Sequence, residues 1–196
     1  MPVSLTRGQQ VALYDTPEDR PNRVIMGLGW DARRPGFLRR LLGMAEETDL
    51  DASCLMLDES GQLVDVAWFR QLRSKDGSVV HTGDNRTGGS EGDDEQIFVD
   101  LDKVPAAVRH LFFVVSCFTG QTLSRISNAY CRLVDARTRK EVARYGLSDF
   151  GDYTACVLAR LYRDGEDWRM QACGEGSGGY TPAQVMPAVR RLLKRS

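Results

Sequence analysis

The residues best suited to chemistry lie in one acidic stretch, HTGDNRTGGSEGDDEQ, at residues 81–96. Its carboxylates belong to Asp84, Glu91, Asp93, Asp94 and Glu95, and its one arginine is Arg86. Carboxylates a few ångströms apart repel one another by about 1 kcal/mol per close pair in water, and by more near a protein surface. The stretch is therefore either an open, solvated acidic turn or a loop that wraps a cation.

The ligand atoms that this stretch offers are hard oxygens from carboxylates, an amide, hydroxyls and glycine-exposed backbone carbonyls. Such a set favours Ca²⁺, with Mg²⁺ second, over metals that prefer imidazole or thiolate. The stretch is not an EF-hand. If Asp84 is aligned with the first loop position, Arg86 and Gly88 occupy positions that should supply ligands, and a strand pattern follows where a helix is required.

A cation site in this stretch must then be completed from elsewhere in the fold. Asp49 and Asp51 are the best candidates, because residues at i and i+2 point the same way at the start of a strand. Asp31, which ends the apolar run GLGWD, is the next candidate.

The sequence contains few of the residues that other kinds of site require. The chain has two histidines and five widely spaced cysteines with no CxxC pair, so zinc binding and a Cys/His or Ser/His/Asp catalytic set are disfavoured. The cysteines lie mostly in apolar runs and are predicted to be buried, reduced thiols. Two glycine patterns, at 27–32 and 174–179, resemble dinucleotide fingerprints, but neither opens a βαβ unit, which such a site needs.

Composition narrows the class further. The chain has 196 residues, 42% of them hydrophobic and 27% charged, with a net charge of −1. This is globular composition without the basic surplus that nucleic-acid binding requires, so no nucleic-acid partner is expected. No stretch approaches the ~20 apolar residues of a membrane span, and the first residues lack signal-peptide features. We therefore expect a cytoplasmic protein with no transmembrane segment.

Short β-rich runs separated by turn residues predict the fold that must position the acidic stretch. The runs cover 23–30, 52–69, 95–101, 110–118, 128–135, 141–147 and 155–173, with tight turns at 58–61 and 164–167. They predict an all-β, two-sheet β-sandwich with short helices. We expect a single domain over 1–196, with a basic insertion at 32–48.

The C-terminal segment 181–196 is predicted to form an amphipathic helix. Thr181 can cap it, Pro182 fits its first turn, and one face is apolar. That face carries Val185, Met186, Val189, Leu192 and Leu193.

Several long motifs together resemble the TerD family of tellurium-resistance and stress-response proteins, and look like its TerZ branch. They are VIMGLGWD (24–31), DLDASCLMLD (49–58), SKDGSVVHTGDNRTGGSEGDDEQIFVDL (74–101), SCFTGQTLSRISNAYCRLVD (116–135) and TACVLARLYRDGEDWRMQACGEG (154–176). The likeness extends over nearly the whole chain. It implies a β-sandwich that binds calcium through its acidic loops, at two sites, without an established enzymatic activity.

The resemblance also implies site residues and partners. The metal-site residues would be Asp31, Asp49, Asp51, Asp84, Asn85, Thr87, Asp93, Asp94 and Glu95. The partners would be other Ter-family proteins and a membrane-bound Ter component, through which the protein would associate with the membrane. CFTGQ (117–121) replaces an acidic segment found in many relatives, so no ligand is expected there.

Two functions remain open. The first is a calcium-dependent binding module whose metal-ordered loops contact partner proteins. The alternative is a metal-assisted or thiol-dependent enzyme acting on an oxyanion such as tellurite. An enzyme requires an open metal position beside a tuned base, or an exposed thiol of low pKa, and the sequence offers no evident candidate for either.

Overall fold

Short strands separated by turn residues fold the chain into two β-sheets. The computed structural model describes residues 3–4, 6–14, 16–31, 50–83, 93–125, 127–146 and 151–195. The predicted insertion at 32–48 lies outside the described residues. In chain order the strands are β1 Val3–Ser4, β2 Gln10–Ala12, β3 Arg23–Asp31, β4 Leu50–Leu57, β5 Leu63–Ala67, β6 Val79–His81, β7 Glu95–Asp100, β8 His110–Cys117, β9 Ser127–Asp135, β10 Glu141–Gly146, β11 Ala155–Asp164 and β12 Asp167–Ser177.

The strands of the described ranges form two six-stranded sheets. Sheet A has the order β1-β10-β9-β3-β7-β6, and sheet B has the order β2-β12-β11-β8-β4-β5. All pairings are antiparallel except that of β1 with β10. Short 3₁₀ turns lie at Pro17–Asp19 and Leu123–Arg125. The prediction of an all-β, two-sheet sandwich is confirmed.

The main core lies between the sheets. Met26 and Leu28 of β3, Ile97 of β7 and Phe113 of β8 are each at most 3% exposed and belong to this cluster. Burial of such apolar surface is the dominant favourable contribution to folding. Both predicted tight turns join antiparallel neighbours, β4 with β5 and β11 with β12.

A second apolar cluster lies between the outer face of sheet B and helix α1, Pro182–Leu193. The predicted helix face is confirmed, with Val185, Met186 and Val189 buried. Thr181 occupies the N-cap position without a side-chain cap hydrogen bond. Its hydroxyl instead donates to Gln184 Oε1 at 3.2 Å. Within the described ranges, no helix has the length and apolar character to cross a membrane.

Candidate metal centre

The fold brings to one end of the sandwich the ends of four strands that carry or flank the predicted ligands in the sequence. Strand β3 ends at Asp31, β4 begins at Leu50, β6 ends at His81 and β7 begins at Glu95. Segments 32–49 and 84–92 join these strand ends. We call this region, residues 31, 50–52, 81–83 and 93–95, the acidic end.

Four predicted ligands lie outside the described residues: Asp49, Asp84, Asn85 and Thr87. Of Asp31 only the backbone is described, in register with Ser127 of β9. The metal-ligand roles of these five residues remain predictions.

Asp93 lies against the outer face of sheet A, where an arginine holds its carboxylate. Arg132 donates from Nε to Oδ1 at 2.8 Å and from Nη2 to Oδ2 at 3.2 Å. Tyr130 and Gln96 donate further hydrogen bonds at 3.3 and 3.1 Å. The Asp93 side chain is 1% exposed, and its hydrogen bonds are the largest cause of the raised pKa of Arg132. The described geometry therefore supports a structural ion pair, and the ligand role of Asp93 stays a prediction.

Two glycines of β3 make room for this arrangement. A Cβ on Gly27 would lie 2.1 Å from Asp93 Oδ2, and a Cβ on Gly29 would lie 2.6 Å from the Tyr130 ring. Glycine inside a strand often marks such a close approach. The GLG pattern that resembled a dinucleotide fingerprint thus serves side-chain packing.

Asp94 and Glu95 turn away from Asp93. Asp94 Oδ2 accepts a hydrogen bond from the Trp30 backbone N–H at 2.9 Å, while the Asp94 N–H donates to the Leu28 carbonyl at 2.7 Å. Glu95 is fully buried, and its Oε2 accepts from the Ala52 N–H at 2.8 Å. Because Ala52 belongs to sheet B and Glu95 to sheet A, this bond joins the two sheets.

His81 accompanies Glu95 inside the sandwich. Its Nδ1 accepts from the Gly83 N–H at 2.9 Å, which places the proton of the neutral ring on Nε2. Nε2 lies 3.4 Å from Glu95 Oε2, and both side chains are fully buried. Sequence reasoning did not single out His81, although it follows an apolar strand directly before the acidic stretch.

Asp51 is 4% exposed and lies in register with Ser116 of β8. Its neighbour Ala52 packs in the core between the sheets, so alternation along β4 places Asp51 on the opposite face of sheet B. Glu95 therefore faces the core between the sheets, whereas Asp51 lies on the outer face of sheet B.

The described carboxylates do not form a metal site by themselves. Within the ranges that the structure describes, no group of three or more His, Cys, Asp or Glu side chains is arranged to hold a metal ion. Strand β7 begins only at Glu95, so Asp93 and Asp94 lie before the strand and do not follow its alternation. Asp93 pairs with Arg132, Asp94 accepts from the Trp30 N–H and Glu95 accepts from the Ala52 N–H, so the three carboxylates have different surroundings.

Thiol chemistry is also poorly supported. All five cysteines lie within the described residues, and each is a free, buried thiol. Burial raises the pKa of Cys131 and of Cys173 to about 12, so little thiolate forms at neutral pH. The prediction of buried, reduced cysteines is confirmed in its structural part.

One protein family matches this chain over most of its length. The model of the TerD domain matches residues 1–181. Tellurium resistance protein TerZ of Serratia marcescens is 42% identical over 180 residues, covering 91% of this chain and 92% of the relative. Stress response protein SCP2 of Bacillus subtilis is 40% identical, covering 90% of this chain and 94% of the relative.

Solved structures agree on the fold. The crystal structure of a homologue of telluride resistance protein (TerD) from Streptomyces coelicolor superposes with a TM-score of 0.70 at 20% identity. The match covers 85% of this chain and 95% of that one. The chain belongs to the TerD family of tellurium-resistance and stress-response proteins.

Proposed function

We propose that this protein binds calcium at the acidic end and acts there as a metal-ordered interaction module, without catalysis. The observation that supports the proposal is the convergence of four strand ends, between which segments 32–49 and 84–92 lie in the sequence. Both segments contain oxygen ligands of the type that calcium prefers.

The described contacts divide the predicted ligands into two groups. Asp93 and Glu95 are engaged by Arg132 and by the Ala52 N–H, so they build the rigid frame of the site. Asp49, Asp84, Asn85 and Thr87 then supply most of the first coordination shell, in two sites together with Asp31, Asp51 and Asp94. Calcium neutralises the clustered carboxylates and orders the two segments.

The ordered loops form the surface that partners recognise. We infer that these partners are other Ter-family proteins and a membrane-bound Ter component, met in the cytoplasm. The support is that loops held by a rigid scaffold are the usual place for binding residues. The buried thiols with raised pKa values favour this module over a thiol enzyme acting on tellurite.

Thermal unfolding with calcium or chelator tests the proposal. Calcium that binds only the folded protein stabilises it by about 2.7 kcal/mol at a free concentration a hundredfold above its dissociation constant. For a domain of this size, that should raise Tm by about 5 to 10 °C. The double variant Asp49→Asn/Asp84→Asn should lose most of this increase.

The matched control is Glu59→Gln/Glu166→Gln, which removes two exposed carboxylates from turns at the opposite end of the sandwich. This control should keep the full calcium response. A parent Tm that is equal in calcium and chelator would contradict the proposal, and so would an undiminished response in Asp49→Asn/Asp84→Asn.

A further inference from the structure

At the end of the sandwich opposite the acidic end, basic side chains border two adjoining cavities. One has a volume of about 250 Å³ and the other about 310 Å³, and Arg23 and Asp100 line both. We call this region the basic cleft, defined by Arg23, Arg73, Ser78, Asp100, Lys103 and Arg137. It shares no residue with the acidic end, so it is independent of the proposed calcium sites.

The sheet register builds the cleft. Arg23 begins β3, Asp100 ends β7, and the two residues are cross-strand partners. Along β7 the inward Ile97 and Val99 alternate with Phe98 and Asp100, so Phe98 and Asp100 lie on the outer face of sheet A. Phe98 also lines the smaller cavity and provides an apolar wall beside the charges.

Cations dominate the lining of the cleft. Arg23 Nη2 and Lys103 Nζ both contact Asp100 Oδ2, at 3.2 and 2.8 Å. Both hydrogen bonds lower the pKa of Asp100, and the one from Lys103 has the larger effect. The guanidinium groups of Arg73 and Arg137 make no ion pair with any residue of the described ranges. The residues that define the cleft thus carry four cations and one carboxylate, with the Asp76 carboxylate beside Ser78, on a chain whose net charge is −1.

Ser78 supplies an unsatisfied hydrogen-bonding group beside these cations. It lines the smaller cavity and is 1% exposed. Its N–H donates to Asp76 Oδ1, and its carbonyl accepts from the Asp100 N–H. Its hydroxyl is buried without a hydrogen-bond partner among the residues that the structure describes. Buried polar groups in folded proteins nearly always have a partner, and this hydroxyl is therefore available to donate to an acceptor bound in the cavity.

We propose that the basic cleft binds a small oxyanion of the phosphate class, either free or as the terminal group of a small phosphomonoester. Arg23, Arg73 and Lys103 supply the positive charge, and the Ser78 hydroxyl donates a hydrogen bond. Guanidinium groups match the geometry of phosphate oxygens, and charge-assisted hydrogen bonds of this kind are stronger than neutral ones. Cavities of this size lie near the lower limit for small-molecule pockets, which favours a small ligand.

Titration of the ¹⁵N-labelled protein with inorganic phosphate, at constant ionic strength set by chloride, tests the proposal. We expect saturable amide shifts at residues 77, 78 and 103. The double variant Arg23→Gln/Arg73→Gln should bind phosphate at least about tenfold more weakly, since two charge-assisted contacts are lost. The matched control Arg190→Gln/Lys194→Gln removes two positive charges from exposed residues at the end of α1 and should bind like the parent.

A second variant separates binding from folding. Ser78→Ala removes a buried hydroxyl that has no described partner, so its free energy of unfolding should be unchanged or higher while its phosphate affinity falls.

Glycerol 3-phosphate distinguishes the two sources of the anion. Tighter binding than inorganic phosphate identifies an ester ligand, and equal or weaker binding identifies the free anion. The proposal is overturned if the parent shows no saturable shift, or if the Arg23/Arg73 variant retains parental affinity.

Discussion

Replacement of Asp93 by asparagine tests whether this carboxylate holds sheet A together or only serves a metal. Asp93→Asn keeps the size of the side chain but removes the charge that Arg132 binds through two hydrogen bonds. Hydrogen bonds to charged groups contribute about 1.5–3 kcal/mol each. Arg132 is 29% exposed and also contacts Glu141 at 3.3 Å, so part of its interaction is recovered after the change.

We therefore expect Asp93→Asn to lower the free energy of unfolding by about 2 to 3 kcal/mol, which is a fall in Tm of about 5 to 10 °C. The loss should be present in chelator, because the ion pair needs no metal. Urea unfolding of the parent, Asp93→Asn, Arg132→Gln and the double variant, all in chelator, measures it. The two single losses should not add, because both variants break the same pair.

Asp94→Asn provides the matched comparison. Its side chain accepts from the Trp30 N–H, and an asparagine oxygen can accept the same hydrogen bond, so its loss in chelator should be smaller. The reasoning is refuted if Asp93→Asn unfolds like the parent in chelator and loses stability only when calcium is present. That result would identify Asp93 as a ligand and not as a structural partner of Arg132.

Further predictions concern other buried groups. Burial, together with Arg160 and Arg109, lowers the pKa of His110 to about 4. As pH decreases, the His110 imidazole takes up a proton near pH 6.5 in the unfolded chain but only near pH 4 in the folded protein. The free energy of unfolding therefore falls as pH decreases from about 6.5 to 4. For His110→Gln, the free energy of unfolding measured in urea should fall less than that of the parent over the same pH range. The five thiols should react with a thiol reagent only after denaturation, as counted spectroscopically at pH 8. Rapid reaction of thiols in the native protein would instead favour the alternative function, a thiol-dependent enzyme. Glu175→Gln should speed amide exchange in α1, because Glu175 accepts hydrogen bonds from Arg191 in the last turn of α1 and from Arg195 just beyond it. Unchanged exchange in α1 would show that apolar packing alone holds the helix.

Much of the fold follows from local patterns in the sequence. Short strands with turn residues at 58–61 and 164–167 predicted the sandwich, and the apolar spacing of Val185, Met186 and Val189 predicted α1. These features depend on residues close in the chain. Pro187 inside the helix shows that packing against sheet B outweighs one lost backbone hydrogen bond.

The arrangement of the site was less predictable. A count of carboxylates did not show that Asp93 pairs with Arg132, 39 residues away, because such pairing depends on strand order. The glycines at 27 and 29 carried a usable signal, since glycine at alternate strand positions marks a face that other side chains approach closely. The basic cleft had no local signal, because the register of β3 with β7 brings its residues together.

Calorimetric titration with calcium, in the presence and absence of magnesium, tests the central claim most directly. The flexible, oxygen-rich ligand set predicts more than one equivalent of calcium per chain, and excess magnesium should compete only weakly because it demands strict octahedral geometry. Absence of binding heat and of any calcium effect on Tm, or equal affinity for the two ions, would contradict the account.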